Sequence, residues 1–337
     1  MIDVPYRALA WPHGVLAVQR LGAMLAPVTF ILADGRQVSP MHIAPWAAEA
    51  GTESLPGILR RLRGEWPCVP FGYSVPPDGF APEWAKSIVP AAAGEEVLGR
   101  SSNHDWRFEE APAGALRLSI DYPEHGPVGR VERTITPDPR APAIDLELRI
   151  DVREDCSLPI GLHPVFRLPA TPGGARLEPG RFDHGLTYPA TVEPSAPLFA
   201  RDARFANLQQ VPGRTGTAVD ASRLPLAADT EELLQLNGID GRAALVNEAE
   251  GYRVTLSWQQ EHFPSLLLWL SNRGRKMPPW NGRHVAIGVE PICSPFGLGP
   301  PTALADNPIV RAGTPTALSF RRGEPFVTHY RIEAAGL

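Results

Sequence analysis

Three short stretches carry side chains able to move protons. In IGLHPVFRLP (160–169), His163 stands between a small-residue turn and Pro164. A proline biases the residue before it towards extended backbone, so this imidazole is held in place. Imidazole exchanges protons near neutral pH, which suits a general acid or base. In AIGVEPICSPFG, Glu290 closes an apolar run and precedes Pro291. Its neighbours Val289, Ile292 and Phe296 predict partial desolvation, which raises a carboxyl pKa and makes the carboxylate a better base. In SSNHDWRF, His104 lies among Asn103, Asp105 and Trp106, polar partners beside a flat apolar ring. Each has a blander reading. These are a hydrogen-bonded core histidine, a sheet-edge glutamate paired with arginine, and a histidine capping a turn.

Other chemistries fit the spacing less well. Two histidines and a carboxylate can bind a metal, but no His-x-x-x-His pair is present and no metal is expected. There is no G-x-S-x-G elbow for serine hydrolysis. A glycosidase needs two facing carboxylates, and only Glu290 has supporting context. The cysteines, Cys68, Cys156 and Cys293, form neither a C-x-x-C pair nor an even disulfide set.

The elements that position these groups are strands. Ile144, Leu146, Leu148, Ile150 and Val152 alternate with Asp145, Glu147, Arg149 and Asp151, the period of a half-buried strand. Tyr252, Val254, Leu256 and Trp258 repeat the pattern. Asp34-Gly35 predicts a hairpin turn, and Pro76-Pro77-Asp78-Gly79 a sharp loop with a short helix near 83–86. The 38 prolines and 31 glycines of 337 residues leave little room for long helices. Composition shows no second-domain break. The expectation is an all-β chain, 1–337, forming a single large antiparallel sandwich.

Net charge −5 gives no nucleic-acid surface. The longest apolar run near a strand, 266–270, is too short to span a bilayer, and MIDVPYRALA has no basic-then-apolar signal. A cytoplasmic protein with no nucleic-acid or membrane partner is expected. Oligomeric state is not legible.

In order along the chain, RGEWPCVPFG, SSNHDWRF, GLHPVFRL and GVEPICSPFG resemble motifs of the aldose 1-epimerase, or galactose mutarotase-like, superfamily. The resemblance implies a β-supersandwich with a sugar cleft across one sheet. It implies a mutarotase interconverting the α and β anomers of a free or phosphorylated aldose without a cofactor. Glu290 falls at the general base, His163 at the general acid, and His104 at the residue orienting the sugar. The family's substrate-binding aspartate falls on Asp240, with Asp220 as competitor; Asp240-Gly241 also reads as turn chemistry. Trp66, Trp106 and Trp269 are candidates to stack on the sugar or to fill the core. The chain departs from the pattern in two places. Asp105 replaces the glycine usual after the first histidine, and no arginine follows Phe71, where Arg63 or Arg107 would have to substitute. The run Arg60-Arg61-Leu62-Arg63 suits a phosphate or a solvated face. The departures leave open a non-catalytic sugar-binding or sugar-sensing protein on the same fold.

Overall fold

A computed structural model describes residues 6–75, 78–89 and 94–337. Pro76 and Pro77 of the expected loop lie outside them. Two large antiparallel sheets carry the chain. One has nine strands, in the order Arg223–Leu224, Ala175–Pro179, Arg242–Asn247, Tyr252–Trp258, Phe326–Gly336, Ala143–Val152, Val128–Pro137, Leu116–Asp121 and Arg107–Glu109. The other has eight. Seven run Arg204–Phe205, His184–Thr187, Thr230–Asn237, Ser265–Asn272, Val285–Cys293, Ile160–Leu162 and Pro67–Cys68. The eighth, Val165–Arg167, also pairs with Val285–Cys293. A smaller sheet near the N-terminus holds Tyr6–Trp11, Gly14–Gln19, Leu25–Ile31 and Gln37–Val38.

The two large sheets bury different amounts of their surfaces, and their sequences show it. In Tyr252–Trp258 the even-numbered residues are buried and the odd-numbered ones half-exposed, as expected of a sheet with one wet face. Ser265–Asn272 is buried at every position. Leu266, Leu268 and Leu270 enter the core between the sheets with Leu146, Leu148, Val254 and Ile332. Leu267 and Trp269 face the other way, into a second cluster with Trp46, Trp66, Trp84, Trp280 and Phe296. Loops cover this second face. A strand buried on both sides therefore reads as an unbroken apolar run.

Helices are short. Pro82–Ala85 matches the expected turn of helix, and among the described residues none exceeds the six of Gly299–Leu304. No helix is long and apolar enough to cross a membrane among the described residues.

One expectation needs correction. Glu290 does not end its strand, which runs on to Cys293. Pro291 is tolerated there because its neighbour on one side is interrupted: Ile160–Leu162 and Val165–Arg167 are separate strands, broken at His163-Pro164. A proline at that gap removes no ladder bond on that side.

Candidate active site

The break at His163-Pro164 builds the centre of the site. Gly161 lies opposite Ile292 and Val165 opposite Gly288, so the register on both sides places His163 directly across from Glu290. The ladder holds through the break by one bond, the Val289 amide donating to the Pro164 carbonyl at 2.8 Å. His163 Nε2 and Glu290 Oε1 stand 3.5 Å apart. Both side chains project onto the loop-covered face of the eight-stranded sheet.

Small residues make the space. A Cβ on Gly288 would sit 2.3 Å from Glu290 Oε1 and 3.0 Å from Trp269 Cβ. The carboxylate thus folds back over a glycine beside an indole. Trp66 stacks on His163 with ring centroids 4.2 Å apart and planes 15° from parallel. Trp269 meets the same imidazole edge-on at 5.9 Å. His163 is 6% exposed and Glu290 2%. Desolvation pushes Glu290 well above the usual carboxylate range and pulls His163 down to about 3. Burial disfavours the charged form of each.

The segment holding Trp66 is anchored from the other sheet. Arg133 Nη2 donates to Glu65 Oε2 at 2.5 Å, and Tyr330 Oη donates to Glu65 Oε1 at 2.7 Å. Arg133 also donates to the Ala23 carbonyl. Arg133 and Glu65 side chains have no exposed surface. A buried pair with these further hydrogen bonds holds its backbone in one place.

Sequence reasoning missed a second cluster on the same face. Glu231 accepts from Trp269 Nε1 at 2.6 Å and from Ser271 Oγ at 3.0 Å, with Arg275 at 3.6 Å. Burial raises the Glu231 pKa, opposed by these three partners. His284 Nδ1 lies 2.7 Å from Ser271 Oγ, and its ring stacks on Trp269. His42 meets His284 at 4.6 Å between centroids. Trp46 and Trp280 complete the walls, with Arg275 over Trp280. One signal for this cluster was present. His284 stands six positions before Glu290, the even spacing that puts both on one strand face. No motif marks His42.

The remaining expected site residues lie elsewhere or are otherwise engaged. His104 is 2.6 Å from Glu96, within reach of Arg100 and 40% exposed in its side chain; no contact joins it to His163 or Glu290 among the described residues. Trp106 is fully buried in the core between the sheets, its N–H satisfied by the Ser101 carbonyl, so neither ring face is free for a sugar. Asp240 sits at a turn, 3.7 Å from Arg181. Asp220 accepts from the Ser222 amide and hydroxyl. Arg63 is half-buried and donates to the Arg61 carbonyl. Arg60 and Arg61 donate to the Leu55 and Ala47 carbonyls, and Arg61 is buried, so the run is not a wholly solvated face. Arg107 pairs with Asp121. A cavity of about 660 Å³ beside Glu232 and another of about 440 Å³ around Glu147 and His329 include neither His163 nor Glu290.

No protein-family model and no curated protein sequence matches the chain. Solved structures do. A proposed aldose 1-epimerase from Escherichia coli K12 superposes with a TM-score of 0.66 at 14% identity, covering 99% of this chain and 100% of that one. An aldose epimerase homologue from C. elegans gives 0.63 at 13%, covering 99% and 100%. A galactose mutarotase related enzyme from Lactobacillus acidophilus gives 0.60 at 12%, covering 98% of each. Over nearly its whole length, the chain has the β-sandwich fold of the aldose 1-epimerase and galactose mutarotase-like proteins.

Proposed function

We propose that this protein is an aldose 1-epimerase-like mutarotase in which His163 and Glu290 share the proton transfers. The observation that carries the reading is the 3.5 Å approach of an imidazole and a carboxyl on one covered sheet face. Ring opening takes a proton from the anomeric hydroxyl and delivers one to the ring oxygen as the C1–O5 bond breaks. Glu290 as carboxylate takes the first and His163 as imidazolium gives the second. Burial works against both charged forms, and the two side chains reach this state by sharing one proton between them. Rotation about C1–C2 and reclosure reverse the roles, and the pair ends with the proton it began with. The reaction consumes no co-reactant. We read the chain as one such unit, because its last strand, Phe326–Gly336, is inserted between Tyr252–Trp258 and Ala143–Val152.

Polarimetry of a freshly dissolved pure anomer tests this. The protein should exceed the buffer rate, and Glu290→Gln should bring it back towards that rate. One observation favours a second reading, a sugar-binding protein without turnover: Trp66 covers His163 so closely that the pair is almost wholly buried. Sugar binding with no gain over the buffer rate would decide for it.

A further inference from the structure

Buried polar atoms almost always have a partner. Among the described residues, five buried ring nitrogens have none: His42 Nε2, Trp66 Nε1, His163 Nδ1, His262 Nδ1 and His284 Nε2. His262 packs on Phe326 of the nine-stranded sheet. The other four fall on the loop-covered face of the eight-stranded sheet. Two of them, on Trp66 and His163, belong to the proton-transfer centre. The His42–His284 pair does not.

The chemistry of that pair follows from its hydrogen bonds. Ser271 has one hydroxyl proton, which it donates to Glu231 Oε2. Its oxygen therefore accepts from His284 Nδ1–H. That fixes the His284 tautomer and leaves Nε2 a bare acceptor. His42, 8% exposed against 1% for His284, sets its ring edge-to-face with His284 at 4.6 Å between centroids and has an unpartnered Nε2 of its own. An acceptor beside a second imidazole nitrogen matches a hydroxyl group, which donates to one and accepts from the other. The walls are the indoles of Trp46, Trp269 and Trp280, with Trp269 stacked on His284 and Trp280 under Arg275. The guanidinium at hand, Arg275, is already committed to Glu231. Trp269 touches both His163 and His284, joining this pair to the proton-transfer centre through one indole.

We propose that His42 and His284 form a second, hydroxyl-binding subsite that takes the end of the substrate remote from its anomeric carbon. The proposal rests on the mutarotase reading for the placement of the anomeric carbon. Long-range ¹H–¹⁵N NMR of the imidazole rings tests it on the wild-type protein. His284 should show the Nδ1–H tautomer. Titration with D-glucose or lactose should move the Nε2 resonances of His42 and His284. His42→Phe and His284→Phe should each raise KM at least tenfold while kcat changes less than threefold. Turnover with both nitrogens unmoved would overturn the subsite and leave the mutarotase reading standing. Nitrogens that move without any turnover would support the subsite and sink the mutarotase reading. A protein that binds none of these sugars defeats both.

Discussion

Glu290 Oε1 lies 3.5 Å from His163 Nε2 because the two residues are cross-strand partners at a point where the ladder is interrupted. The prolines that follow them, Pro164 and Pro291, sit at that interruption. The same local break that withholds backbone bonds brings a carboxyl and an imidazole face to face. Glu290→Gln keeps the shape and removes the titrating group; His163→Asn leaves a polar side chain. Each should lower kcat roughly 10²-fold or more, the range for lost acid–base catalysis. The double variant should be little worse than either single one, because both groups serve one step. Sugar binding measured by calorimetry should persist in all three.

Gly288 is the space beneath the Glu290 carboxyl. Gly288→Ala would put a methyl group 2.3 Å from Oε1. The carboxyl must then leave its place beside His163. We expect activity to fall at least tenfold, together with an overpacking cost of about 1–3 kcal/mol read from urea denaturation. Unchanged activity would show that the carboxyl position is immaterial.

The Glu65–Arg133–Tyr330 network spans the sandwich behind Trp66. Arg133→Met strands a fully buried carboxylate and should cost about 3–5 kcal/mol. Adding Glu65→Gln should recover part of that loss. A double variant less stable than Arg133→Met would contradict the pairing.

Burial holds His42 at about 4 and His163 at about 3, below the ordinary 6.5 of a free imidazole. A folded-state pKa below the unfolded one means that the unfolded chain binds more protons. These two groups therefore contribute stability that is full above about pH 6.5 and is lost as pH falls to about 4 and then 3. The raised carboxyls of Glu231 and Glu290 act in the opposite sense. Stability measured across this window should decline with a shallower slope in His42→Gln. An unchanged slope would show that His42 does not titrate with unfolding.

The sequence alone determined the class of the fold and singled out His163 and Glu290, which the fold brings to 3.5 Å of each other. Period-two alternation marks strands wherever one face is wet, as in Ala143–Val152 and Tyr252–Trp258, and those strands appear with the expected bounds. His-Pro and Glu-Pro were legible because proline constrains its neighbours locally. What surrounds them was not. Glu231, Ser271 and His284 meet only when three strands align in register, and His42 joins them from a loop. Trp106 and Trp66 look alike as indoles in polar motifs, yet one fills the core between the sheets and the other covers His163. Which face a side chain takes is set by register and by what packs on it, and a strand buried on both faces erases the alternation that would have told them apart.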